Sequence, residues 1–239
     1  MTFDNPHRRY LALGTAVLVG ATGVVSTAGA GSSASQSPPP AKTTVTPVKA
    51  HAAAHTRIDR LTASARARYD QEVYGRPVHT QLQRIAHDRK LVSLLESGNT
   101  PALKAYVKSR FYSVWYHAHV SRMAILQNGK TVDEIGVPFV VAPSQTAIKG
   151  RGGKTIGTLQ VSVQDVIGFV RYMHRNFPVD IVARGTGAGH VRTSLPAAAK
   201  LNLPARGTVT ISGRRYAVRS FHKLAMGKEP VTIWVLARS

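Results

Sequence analysis

Apolar and polar positions change rhythm several times between His119 and Asn176, and each change predicts an element. His119-Val-Ser-Arg-Met-Ala-Ile-Leu-Gln127 and Lys130-Thr-Val-Asp-Glu-Ile135 read as two strands. Asn128-Gly129 between them suits the positive φ angles of a type I′ hairpin turn. Val137-Pro-Phe-Val-Val-Ala-Pro143 is an irregular apolar crossing, and Lys149-Gly-Arg-Gly-Gly-Lys154 a basic turn. Thr155 to Val161 alternates as a further strand. Ser162, with Asp165 three residues on, then predicts the N-cap of a helix whose apolar face is Val166, Phe169, Val170 and Met173.

On either side the pattern is coarser. An apolar stripe begins at Ile58 and Leu61 and reappears as Val78, Leu82, Ile85, Val92 and Leu95, interrupted at Gly75-Arg76-Pro77. Two helical segments or one kinked helix are expected there, because proline removes a helical N–H and clashes with the turn before it. Gly98-Asn99-Thr100-Pro101 supplies a stop, a cap and a first helical residue for a short helix through Leu103, Tyr106, Val107, Arg110 and Phe111. Phe177-Pro178 closes the later helix, and Val179 to Ala183 reads as another strand. Thr208 to Ile211, the turn at Ser212-Gly213, Arg214 to Phe221 and the closing run Val231 to Leu236 form a second hairpin with a last strand. The expected class is α+β, with one antiparallel sheet of five or six strands and no internal repeat.

Composition adds an address and a boundary. Arg8-Arg9 precede an uncharged apolar run from Leu11 to Val25, and Ser26-Thr-Ala-Gly-Ala30 offers the small residues of a cleavage site, so residues 1–30 read as a signal peptide. Residues 31–56, rich in Ser, Ala, Thr and Pro, read as a disordered linker. Residues 57–239 remain as one domain. The chain has no cysteine, which excludes disulfides, thiol catalysis and cysteine zinc sites. Its formal charge is +21, and removal of residues 1–30 leaves that excess almost unchanged.

The order of elements over residues 57–237 resembles the Cache family of extracellular sensory domains, which have a PAS-like sheet preceded by a long N-terminal helix. The resemblance rests on the entry Leu103 to Phe111 into His119-Val-Ser-Arg122, on the Asn128-Gly129 hairpin, and on Gly157-Thr-Leu-Gln-Val-Ser-Val-Gln-Asp165 with the helix behind it. Val137 to Pro143 resembles the segment that crosses the open face of the sheet, and Tyr216 to Phe221 with the final strand the usual ending. The resemblance implies a small molecule bound between sheet and crossing segment. Many members continue through a membrane helix into a kinase, cyclase or chemotaxis module; a single-domain secreted form is expected here.

Alternation narrows the candidate ligand residues. His119, Ser121, Met123 and Ile125 share one face of the first strand, and Val120, Arg122, Ala124 and Leu126 the other. Arg122 is the first candidate, since an arginine in an apolar setting binds a carboxylate in bidentate fashion. Tyr116, Phe139, Tyr216 and Arg219 complete the expected set.

Enzymatic alternatives are thin. His117 and His119 would share a strand face but lack a third metal ligand nearby, and Asp133 and Glu134 point to opposite faces. No Gly-x-Ser-x-Gly elbow occurs. Gly185-Thr-Gly-Ala-Gly189 lacks the spacing of a dinucleotide loop, and the 149–154 turn lacks the end of a P-loop. No catalytic residue, metal or cofactor is therefore expected. The expected function is an exported, non-enzymatic binding domain for a small molecule, with an organic anion favoured. The alternative is a basic wall-associated structural or adhesive protein. Expected partners are that ligand, anionic cell-envelope polymers or a membrane sensor protein, and a second copy through the N-terminal helix. The scattered arginines and absent motifs predict no specific nucleic-acid recognition.

Overall fold

The computed structural model describes residues 48–239, so the expected signal peptide and the linker up to residue 47 lie outside the described residues. Helix α1 (Val48–Tyr74) begins inside the stretch expected as linker, where alanines at 50 and 52–54 favour helix. Its inward stripe is Ile58, Ala65, Tyr69 and Val73, all buried. At Gly75 a Cβ would lie 2.3 Å from the Gln71 carbonyl oxygen, so glycine permits the close turn into α2 (Arg76–Ala86), whose first turn holds Pro77. A second break separates α3 (Arg89–Glu96) from α2, giving three helices where one or two were expected. The cause is Asp88, whose carboxylate accepts the N–H groups of Lys90 and Leu91 at 3.0 and 3.1 Å and so starts a new helix. Asn99 caps α4 (Thr100–Arg110) in the same way, through the Ala102 N–H. A wide π turn, Phe111–Trp115, then keeps both Phe111 and Trp115 inside.

Nine strands follow, divided between two antiparallel sheets rather than joined in one. The first contains β1 (Arg122–Gln127), β2 (Lys130–Gly136), β3 (Ser144–Lys149) and β4 (Thr155–Ser162) in the order β2-β1-β4-β3. The second contains β5 (Asp180–Arg184), β6 (Val191–Thr193), β7 (Arg206–Ile211), β8 (Arg214–Leu224) and β9 (Pro230–Arg238) in the order β6-β5-β9-β8-β7. In both, the first and last strands of the set pair at the centre and each hairpin flanks them. The architecture thus repeats although the sequence does not. Two strands escaped the sequence pattern: β3 is an edge strand of mostly polar residues, and β6 has three residues.

Both expected hairpins form, and their turns take the left-handed backbone that the sequence requires, with φ of 51° and 75° at Asn128 and Gly129 and 50° and 74° at Ser212 and Gly213. Helix α5 (Val166–Asn176) connects the sheets. Its N-cap is Asp165, which accepts the Gly168 N–H at 2.7 Å, and not Ser162, which is still paired with Arg122 in the first sheet.

Two main cores result. Met123, Ile125, Ile148, Leu159 and Val161 face α2, α3 and α4. Ile181, Ala183, Ala217, Phe221, Ile233 and Val235 face α1 and α5. The second sheet is covered on its other side too, where Val182, Tyr216, Val218 and Leu236 pack on Ala198 and Leu203. The crossing segment ties the halves together: Phe139 and Val141 enter the α1–α5 core, while Val140 packs with Ala124 and Met226.

Candidate ligand-binding groove

A groove of about 490 Å³ opens where the end of α1, the crossing segment and the β8–β9 corner meet. Helical spacing brings Tyr69, Val73 and the neighbouring Asp70 to one wall, and β8 runs past β7 to place Lys223 and Leu224 opposite. Ala142 of the crossing segment closes one end. The Tyr69 hydroxyl donates to the Leu224 carbonyl at 2.7 Å and accepts the Ala142 N–H at 3.2 Å, so one oxygen joins all three elements. The ring is set edge-on against Phe169, with centroids 5.4 Å apart. Burial, reinforced by the Asp70 charge against the hydrogen bond from Ala142, pushes its pKa well above the ordinary tyrosine value, so the hydroxyl stays a donor. Below it, Ser144 donates to the Val73 carbonyl and fixes the end of α1.

The rim is chemically mixed. Asp70 and Lys223 form an ion pair there, and the Lys223 ammonium lies 5.9 Å from the Tyr69 ring centroid. Tyr74 is 70 % exposed and Leu224 49 %, so two large apolar side chains border the opening. An apolar trough with one cation and one anion at its edge can hold an amphiphilic organic molecule. Sequence reasoning missed these residues because Asp70 and Lys223 are far apart along the chain, and Tyr69 reads there as one more member of an apolar stripe.

The five residues expected from the sequence do not converge on one cavity. Tyr116 follows the π turn, half exposed, with its ring 6.0 Å from Phe111. Arg122 is paired with Glu134 at 2.9 Å and donates to the Pro138 carbonyl at 2.5 Å, which fastens the start of the crossing segment to β1. Phe139 is buried, stacked on His190 at 4.5 Å with the planes 7° apart. Tyr216 lies inside the core on one face of β8. Arg219, three residues on and hence on the other face, is paired with Asp59 of α1 at 2.7 Å. Each of the two arginines is thus held by a carboxylate of the chain itself.

The discounted motifs also have clear roles. His119 sits at φ 67° in the turn before β1, so His117 and His119 do not share a strand face. Among the described residues no group of three or more metal-ligating side chains converges. The glycine-rich turn at 185–189 receives the Glu229 carboxylate, which accepts the Gly187 N–H at 2.8 Å and meets the His190 Nδ1 at 2.8 to 2.9 Å. Burial would raise the pKa of Glu229, but the Gly187 N–H, the His190 ring and the Thr186 N–H together hold it below the ordinary carboxylate value. Among the described residues no helix is long and apolar enough to cross a membrane.

This arrangement, two antiparallel sheets in each of which the first and last strands pair, with a long leading helix, is a PAS-like α+β fold. No protein-family model matches the sequence, and no curated protein matches it either. Solved structures do. The periplasmic domain of Vibrio cholerae LuxQ superposes with a TM-score of 0.51 at 10 % identity, covering 76 % of this chain and 100 % of that one. A selenomethionine structure of the same domain gives 0.50 at 9 % identity, covering 76 % and 98 %. The sensor domain of the V. cholerae histidine kinase DctB gives 0.46 at 14 % identity, covering 81 % and 98 %.

Proposed function

We propose that the chain is an exported, non-enzymatic sensory domain that binds a small organic molecule, with an anion favoured, in the groove between Tyr69 and Lys223. The observation that carries this reading is the groove's position. It is walled by the helix, the crossing segment and the sheet at once, so an occupant touching Tyr69, Ala142 and Leu224 bears on how α1 sits against the second sheet. Lys223 gives one donor to Asp70 and keeps two for a carboxylate, and Tyr74 and Leu224 supply the apolar contact. The likeness in fold to the LuxQ periplasmic domain supports a sensory role. Export rests on the apolar run and small residues before position 31.

The test is a thermal-shift screen of the full chain against carboxylates, amino acids and purines. A ligand at a hundred times its Kd contributes about 2.7 kcal/mol, which raises Tm by roughly 5–10 °C for a domain of this size. Lys223→Gln should weaken an anionic ligand about tenfold, and Tyr74→Ala should weaken any occupant without disturbing folding. A panel that leaves Tm unmoved, or a ligand indifferent to both substitutions, defeats this reading. The formal charge of +21 favours a second one, adhesion to anionic envelope polymers, which retention on purified envelope and release by salt would support.

A further inference from the structure

We propose that a second cleft, on the side of the first sheet and independent of the groove, is a binding site for a phosphate oxyanion. It lies between the α2–α3 corner and the β3–β4 turn and has a volume of about 440 Å³. The corner contributes His87 and Arg89, the turn Lys149 and Arg151, and Ala86 and Val92 provide the apolar wall. Three permanent cations therefore meet at one opening.

The local chemistry divides them into a fixed one and two that remain available. Glu96, at the end of α3, accepts the Arg151 N–H at 2.6 Å, and its other oxygen lies 3.4 Å from the Arg151 guanidinium. A Cβ on Gly150 would lie 2.5 Å from that carboxylate, so the glycine allows the approach. Glu96 thus neutralises Arg151 and sets the shape of the turn. Arg89 has no carboxylate partner among the described residues. Lys149 gives one hydrogen bond, to the Thr155 hydroxyl at 2.8 Å, and keeps two donors. The nearby Asp88 carboxylate is already taken by two backbone N–H groups and by the Tyr106 hydroxyl. His87 donates its Nδ1–H to the Gln83 carbonyl at 2.7 Å, which fixes the ring to the corner and leaves Nε2 of the neutral ring an acceptor, so the oxyanion's donors are Arg89 and Lys149.

A forked guanidinium and a mobile ammonium on opposite walls suit a tetrahedral, doubly charged anion better than a planar carboxylate, because the two cations reach different oxygens. The apolar wall suits the organic part of a phosphate ester. Since Arg89 is exposed, binding will weaken with salt.

Calorimetric titration of the full chain at low salt, with inorganic phosphate and with phenyl phosphate, tests the site. At least one probe should bind, and Arg89→Ala with Lys149→Ala should weaken it about tenfold. Removal of the same charge elsewhere, by Arg175→Ala with Arg214→Ala, should change affinity less than about twofold. Arg89→Gln and Lys149→Gln made singly keep the test valid if the double variant folds poorly. Preference for phenyl phosphate assigns an ester as the source, and equal binding assigns the free ion. If neither probe binds, or if the two double variants lose affinity alike, the site is overturned and any attraction is diffuse charge.

Discussion

Tyr69→Phe removes one oxygen atom and leaves the ring, so it isolates the junction on which the proposed sensing depends. Two backbone groups lose their partner: the Leu224 carbonyl, 2.7 Å from the hydroxyl, and the Ala142 N–H, 3.2 Å from it. A buried polar group left unpaired costs about 1–3 kcal/mol. The groove beside them admits water, so the low end applies to each, and the loss should be about 2 kcal/mol in all. That corresponds to a fall in Tm of roughly 4–8 °C. Urea denaturation should show a lower midpoint with an unchanged slope, since no surface is newly exposed. The tyrosine also gives the wild type a limb at high pH. Its unfolded form ionises near 10, whereas burial keeps the folded form protonated at higher pH, so stability is full below pH 10 and falls above it. Tyr69→Phe should make this limb shallower, the remainder coming from Tyr106, whose pKa is also raised. A loss below about 0.5 kcal/mol, or an alkaline limb as steep as that of the wild type, would refute the account of this hydroxyl as the joint between helix, crossing segment and sheet.

Two further substitutions test other links. Asp88→Ala removes the cap of α3 and should cost about 1 kcal/mol; the Tyr106 pKa, pushed up to about 12 by burial and by its hydrogen bond to Asp88, should fall, as a spectroscopic titration would record. Glu229→Gln should flatten the acid limb of stability. The folded carboxyl titrates below the unfolded value of 4.5, so its contribution is present above that pH and is lost as pH falls through the folded value. Urea midpoints measured from neutral pH downwards in both proteins will show whether the difference narrows on acidification.

The parts of the fold legible in the sequence are those whose signals are local. Asn128-Gly129 and Ser212-Gly213 fix two hairpins because few other residue pairs take left-handed backbone at both positions. Gly75-Arg76-Pro77 fixes the end of α1 for a comparable reason. Where two local signals competed, reading the sequence was less secure: Ser162 and Asp165 both suit an N-cap, and the ladder to Arg122 held Ser162 in β4. Asp88 was passed over because the apolar stripe runs through it without a break.

The candidate site was less legible. Arg122 and Arg219 attract attention in the sequence as buried cations, yet Glu134 and Asp59 answer them, each brought close by pairing or packing of distant elements. The basic turn at 149–154 was visible, but its carboxylate, Glu96, was not. By itself the sequence determined the α+β class, both hairpins, the helix faces and the excess of positive charge, since each follows from backbone preference or composition within a few residues. Only the tertiary structure decided that the strands form two sheets, that Tyr69 meets Leu224 and Ala142, and which cations keep a free valence. Those outcomes depend on which distant groups come within a few ångströms, and the spacing of residues along the chain does not encode that.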